Sequence, residues 1–236
     1  MAPSRLIIFD FDGTLFDTHR AIAYSITKTF EVLLPTHSPR ETEVQRLIGS
    51  GMGLEDTLQA LHPDSSTFNK EEWVSTYRQL YASDGQQLVT PFDGAQHLLR
   101  FLQSRNIPTA IVSNKGVAAV VAALSNAGLG DCIPEALIVG DKTPGATRKP
   151  DPASYVNVLV PALRDRGLLE GIDASDVFVV GDTEADLQFA SNIGGAKSVW
   201  CRFGYGDAHN CEKLKPDATV DSLVEVEQLV QVVGQG

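Results

Sequence analysis

Residues 6–14 read Leu-Ile-Ile-Phe-Asp-Phe-Asp-Gly-Thr, a short apolar strand that runs straight into paired carboxylates. Alternate side chains of an extended segment share one face, so Asp10 and Asp12 point together while Phe9 and Phe11 turn away into a core. Two like charges so close require a counter-ion or a shared proton. Gly13 permits a sharp turn after the strand, and Thr14 brings a hydroxyl and a backbone N–H to the same spot. Asp and Gly are common at any strand-to-turn junction, so the meaning of this one depends on what the rest of the chain brings to it.

From Pro91 onward, helical and β-rich runs alternate. A helix carrying Leu98, Leu99 and Leu102 precedes a buried strand at Thr109–Val112. A helix over Val117–Leu124 closes near Gly128 and leads to a strand at Ala136–Val139. A helix from Pro152, a strand at Val177–Val180, a helix over Glu184–Ile193 and a last strand near Ser198–Trp200 complete the pattern. Strands separated by helices need right-handed crossovers, so the expected fold is α/β, a three-layer, Rossmann-like, mainly parallel sheet that includes the first strand.

Between that strand and Pro91 the pattern is helical and carries no convincing strand. Four stripes recur at helical spacing: Ile22, Ile26, Phe30 and Leu33; Val44, Leu47 and Ile48; Leu54, Leu58 and Leu61; and Trp73, Tyr77, Leu80 and Tyr81. Residues 16–88 are therefore expected to be a helical insertion, a small bundle within one core domain made of 1–15 and 89–236.

At 236 residues and 43% hydrophobic content, one core with an insertion is affordable in size. The formal net charge of −11 argues against nucleic acid or an anionic membrane as partner, so any phosphate must be attracted locally. No apolar run approaches the roughly 18 residues of a membrane span, and the N-terminus lacks a leader pattern; a cytoplasmic protein is expected. Cys132, Cys201 and Cys211 have neither disulfide-framework nor zinc spacing, and the five histidines form no ligand set.

In open parallel sheets ligands bind beyond the carboxyl ends of the strands. Polar residues fall there three times: Asp10 and Asp12, then Ser113-Asn114-Lys115, then Gly181-Asp182-Thr183-Glu184-Ala185-Asp186. Ser113 can hold a phosphate oxygen. Asp182 can share a hard divalent ion with Asp10, and Mg²⁺ is the expected cation. Asp186, one helical turn later, either reaches the metal through water or orients a lysine. Lys149, in a loop stiffened by Pro150 and Pro152, can offset the crowded carboxylates and bind a phosphoryl group. These parts suit phosphoryl transfer, in which positioning and charge neutralisation supply most of the catalysis.

The four segments Asp10-Phe-Asp-Gly-Thr14, Ser113-Asn114-Lys115, Lys149-Pro-Asp-Pro and Gly181-Asp-Thr-Glu-Ala-Asp186 together resemble the haloacid dehalogenase-like hydrolase superfamily. The insertion is similar to that superfamily's C1 cap, and Trp200-Cys-Arg-Phe-Gly-Tyr-Gly206 resembles the phosphoglycolate phosphatase-like branch. The resemblance implies that Asp10 is the nucleophile of an aspartyl-phosphate and that Asp12 is first acid and then base. It implies Mg²⁺ held by Asp10, the main-chain carbonyl of Asp12, and Asp182, with Thr14, Ser113, Asn114 and Lys149 about the phosphate. Gly49-Ser50-Gly51-Met52-Gly53 looks like the family's substrate-specificity loop, and Lys115 and Arg202 are further candidates for touching substrate. The expected partner is a small phosphorylated metabolite, with phosphoglycolate leading, acted on by a monomer or homodimer. The alternatives are a phosphomutase of the β-phosphoglucomutase type and a catalytically silent phosphate-binding protein.

Overall fold

The computed structural model describes residues 5–232; residues 1–4 and 233–236, the outer ends of the expected core segments, lie outside the described residues. Strand β1 (Leu6–Phe9) is buried along its whole length, and its branched and aromatic side chains suit a sheet covered on both faces. Five further strands join it in parallel: β4 (Thr109–Gly116), β5 (Ile138–Asp141), β6 (Val177–Gly181), β7 (Lys197–Cys201) and β8 (Ala218–Val220). Their order is β5-β4-β1-β6-β7-β8, with β1 pairing β4 on one side and β6 on the other. The chain thus winds outward from β1 in one direction and then in the opposite one. Right-handed crossovers in opposite directions put their helices on opposite faces, and the reversal leaves a crevice at the carboxyl end of β1 and β6.

The connecting helices are α5 (Ala95–Ser104), α6 (Val117–Asn126), α7 (Val160–Arg164), α8 (Glu184–Ile193) and α9 (Ala208–Lys213), and α10 (Leu223–Val232) closes the fold against α5. The stripe Leu98, Leu99 and Leu102 of α5 is buried in the main core, as its spacing predicts.

Four features differ from the sequence expectation. An edge strand, β8, follows β7; its Ala-Thr-Val run is too short to stand out as a periodic signal. The strand expected to stop at Val112 continues to Gly116 through a register shift, so Ser113, Asn114 and Lys115 occupy an irregular stretch that re-aims their side chains. The helix expected from Pro152 is π-wound over Ser154–Leu159 before α7, and Pro161, which has no N–H to donate, sits at the join. Finally, strands β2 (Phe16–Asp17) and β3 (Thr90–Pro91) form a two-stranded antiparallel ribbon where the chain leaves the core and returns. Two residues per strand give no period to read.

Between those ribbon strands lie α1 (His19–Leu33), α2 (Glu41–Gly49), α3 (Leu54–Leu61) and α4 (Lys70–Ser83), at the four predicted stripes. They bury their own cluster, which includes Ile26, Phe30, Leu47, Leu58 and Trp73, apart from the core around the sheet. Phe30 and Trp73 meet edge to face at 4.6 Å between ring centres, a favourable aromatic geometry. Among the described residues, no helix is long and apolar enough to cross a membrane.

Candidate active site

The crevice beside β1 gathers the acidic residues. Asp10 follows β1, and its backbone N–H donates to the Val180 carbonyl of β6 at 2.8 Å. Asp182 follows β6 and is fully buried. Asp186 lies in the first turn of α8, where its Oδ2 accepts from the Thr183 backbone N–H and hydroxyl at 2.9 and 2.7 Å. Carboxylate oxygens of Asp10, Asp182 and Asp186 all lie within 4.8 Å of one another. Lys149 Nζ, itself buried, donates to Asp10 Oδ1 at 2.6 Å and to Asp186 Oδ1 at 2.5 Å.

Three carboxylates against one ammonium leave two surplus negative charges when all are ionised. Buried charge of that size is costly unless compensated. Burial raises Asp10 to about 7; Lys149 pulls against that rise, while Asp186 and Asp12 add to it. Burial likewise pushes Asp182 well above the ordinary carboxylate range, with Asp186 and Asp10 adding to the rise. For Lys149, burial alone would favour the neutral amine, but Asp10 and Asp186 outweigh it and hold the ammonium charged. An all-oxygen, dianionic, buried donor set is the chemistry that a hard divalent cation fits.

Asp182 is held from several sides. Its Oδ1 accepts from the Thr14 hydroxyl at 2.9 Å and its Oδ2 from the Tyr205 backbone N–H at 2.7 Å, while its carbonyl accepts from Trp200 Nε1 at 3.2 Å. Two glycines let the chain come this close. A Cβ on Gly13, whose φ is +81°, would stand 2.4 Å from Asp182 Oδ2, and one on Gly204 would stand 2.2 Å from Asp182 Cβ.

Several of the other expected site residues have partners within the protein. Thr14 is wholly buried and its hydroxyl donates to Asp182. Asn114 lines the cavity, but its Oδ1 accepts from the Lys149 backbone N–H at 3.0 Å and its Nδ2 donates to the Gly51 carbonyl at 3.2 Å. It ties the Lys149 loop to the helical insertion, and one of its two amide hydrogens makes that contact. The Asp12 carboxylate stands outside the acidic trio: Lys115 Nζ lies 3.1 Å from its Oδ1, off the hydrogen-bond direction, which leaves that buried oxygen without a donor. Asp186 Oδ1 accepts from Lys149 Nζ, the contact expected of a residue that orients the lysine. Arg202 is exposed, forms a two-pronged pair with Asp221 at 2.8 and 2.6 Å, and does not reach the cavity.

Ser113, Lys115 and Lys149 line the cavity with Asp10 and Asp12. The opposite wall comes from the helical insertion. Gly51 and Met52 contribute to it; Gly49 instead sits against the Tyr205 carbonyl, 2.7 Å from where its Cβ would be, and Ser50 Oγ donates to the Leu47 carbonyl at 2.7 Å. Gly53 abuts the Arg148 guanidinium, with a Cβ there 2.1 Å from an Arg148 nitrogen. The residues that sequence reasoning passed over are Trp200 and Tyr205. Besides its backbone contact with Asp182, Tyr205 donates its hydroxyl to Asp17 at 2.7 Å and accepts from the Thr18 and His19 N–H groups that open α1. The only signal was the Trp200–Gly206 stretch itself, which carries no residue type that announces such a role.

The chain is similar to proteins already known. The family described as haloacid dehalogenase-like hydrolase matches residues 7–200, most of the chain. The chain belongs to that family. A phosphoglycolate phosphatase from Pectobacterium atrosepticum is 28% identical over 228 residues, covering 96% of this chain and 92% of that one. A phosphoglycolate phosphatase from Aquifex aeolicus is 31% identical over 205 residues, covering 85% and 86%. Among solved structures, a haloacid dehalogenase-like hydrolase from Streptococcus pneumoniae aligns with a TM-score of 0.77 at 24% identity, covering 97% of this chain and 99% of that one. Within its family the chain is a phosphoglycolate phosphatase-like protein, a phosphatase of the phosphoric monoester hydrolase class.

Proposed function

We propose that this chain is a Mg²⁺-dependent phosphatase that hydrolyses small phosphomonoesters through a phosphorylated Asp10. One observation carries the reading: a buried acidic trio and a buried ammonium meet at one end of a cavity whose other wall is the helical insertion. Asp10 and Asp182 would hold the metal, which when bound neutralises their surplus charge and polarises a phosphoryl oxygen. Asp10 attacks phosphorus, forming a carboxyl O–P bond as the ester O–P bond breaks. Asp12 gives its proton to the departing alkoxide and then takes one from the water that attacks the aspartyl-phosphate. Ser113 and Lys149 hold the non-bridging oxygens, and Asp186 keeps Lys149 in place.

Residues 16–88 serve as a cap over this chemistry. The β2–β3 ribbon is its stem, and an ion-pair chain holds it shut: Arg78 of α4 meets Asp141 at 2.8 Å, while Arg148 spans Asp141 at 3.4 Å and Asp56 of α3 at 2.9 Å. Phosphoglycolate, after the relatives' names, is the reference ester. Phosphate release from a panel of esters is expected to stop with a chelator and return with excess Mg²⁺. Release undiminished by chelator would remove the metal from the reading, and no release from any ester would remove the phosphatase.

Stability gives a second, activity-free check. An unfolded Asp titrates near 4, so between there and its folded value of about 7 the folded state binds more protons at Asp10. Metal-free stability from this group therefore falls as pH rises through that window, by about 4 kcal/mol at most. Mg²⁺ competes with the proton, so its stabilisation is expected to be larger at about pH 8 than at about pH 5. Urea unfolding with chelator or Mg²⁺, in wild type and Asp10→Asn, isolates the effect. A pH slope unchanged in the variant would contradict it.

A further inference from the structure

Beyond the acidic end, the cavity is large and walled mostly by apolar side chains. Its volume is about 530 Å³, within the roughly 300–1,000 Å³ of sites that bury drug-sized ligands. Ile22, Ile26, Ile48 and Leu54 line it from the helical insertion, with the rings of Tyr77 and Tyr81 beside them. A stretch of α6, from Val117 to Ala122, contributes further small apolar side chains.

Several of the polar groups on this lining are already engaged, while the buried Tyr81 hydroxyl has no partner among the described residues. Thr57 donates to the Gly53 carbonyl at 3.0 Å, and Gln86 reaches the Ala119 carbonyl at 3.5 Å. Arg78 is paired with Asp141 at 2.8 Å. Lys115 lies between Asp12, at 3.1 Å, and the face of Tyr81, 4.1 Å from its ring centre. Lys142 is the one lining cation with no carboxylate partner among the described residues, and it is exposed, where a charge contributes little to holding an anion. A second carboxylate, such as that of phosphoglycolate, would have to compete for Lys115 with Asp12 and the Tyr81 ring. A sugar would find the Tyr81 hydroxyl but bury its other hydroxyls against aliphatic walls, and each unpaired hydroxyl weakens binding.

We infer that the substrate is a phosphomonoester of an apolar alcohol, with its hydrocarbon seated against α1, α2 and the paired tyrosines. The inference rests on the phosphatase reading and narrows its substrate class away from the two-carbon acid named for the relatives. Ridding apolar surface of water is the driving force, so affinity should grow with the hydrocarbon until the wall is reached.

The test is a series of n-alkyl phosphates from ethyl to hexyl, whose leaving alkoxides are of nearly equal basicity, assayed beside phosphoglycolate. The expected result is a rise in kcat/KM of about fourfold per added methylene, with the longer esters above phosphoglycolate. A flat or falling series, or phosphoglycolate as the best ester, would overturn the inference while leaving the phosphatase in place. Binding of methylphosphonate and hexylphosphonate to the Mg²⁺-loaded protein reads the preference without turnover, so a failure of catalysis is told apart from a failure of specificity. At least tenfold tighter binding of the hexyl compound is expected, and equal binding would refute the inference. Ile48→Lys should reverse the ranking of hexyl phosphate and phosphoglycolate; a ranking that survives in the folded variant would remove that wall from specificity.

Discussion

Asp10→Asn is expected to lower kcat by at least about 10⁴ while leaving the protein folded. An amide cannot supply the carboxylate oxygen that forms the bond to phosphorus, and it also weakens the trio that would hold a divalent ion. Folding should survive because the substitution is nearly isosteric and removes one of three crowded buried charges. Asp10 is raised to about 7 chiefly by burial, meaning that its ionised form is disfavoured in the folded protein. In metal-free solution at about pH 8 the variant should therefore be at least as stable as wild type. Lys149 keeps a partner in Asp186 at 2.5 Å. Phosphate release together with urea unfolding decides the matter. A variant within tenfold of wild-type kcat would take Asp10 out of the nucleophile's place.

Lys149→Met should be harmful to both stability and activity. The ammonium is the only cation touching Asp10 and Asp186 among the described residues, and its side chain is 4% exposed. Removing one partner of a buried ion pair leaves uncompensated charge and costs about 3–5 kcal/mol. Here two carboxylates lose their partner at once, and Mg²⁺ should recover part of the loss. Catalysis is expected to fall by a further factor of about 10³ or more, because a phosphate dianion would face the trio with no fixed positive charge. Lys149→Arg is not a conservative control: a planar guanidinium does not fit where a compact ammonium takes contacts of 2.6 and 2.5 Å. Unfolding without metal that differs from wild type by under about 1 kcal/mol would mean that Lys149 does not compensate the trio.

The part of the candidate site most legible in the sequence is the part set by strand ends and residue type. Asp10, Ser113, Lys149, Asp182 and Asp186 fall at carboxyl ends of strands, or in a loop beside them, and the parallel winding brings all five to one crevice. Thr14 and Asn114 show why the contacts of a small polar side chain are hard to read from sequence. A hydroxyl or an amide near a phosphate site looks like a phosphate ligand, yet each is a hydrogen-bonding group that any nearby neighbour can claim. Thr14 was claimed by Asp182 and Asn114 by Lys149 and Gly51, contacts whose partners lie far apart along the chain. Arg202 was misplaced likewise, because its partner Asp221 lies on the segment that follows β8, the strand the sequence left unmarked.

The apolar periods and the placement of carboxylates are local properties, so residue order alone determined the α/β winding, the four helices of the insertion and the acidic strand ends. What the hydrocarbon walls enclose was decided only in three dimensions. Ile22, Ile48, Tyr81 and Val117 belong to four different helices and read, one by one, as ordinary core residues. Whether an apolar side chain faces a neighbour or a cavity depends on how the insertion settles over the sheet, and that is fixed by contacts such as Asn114 to Gly51 and Arg78 to Asp141, which no single stretch of sequence contains.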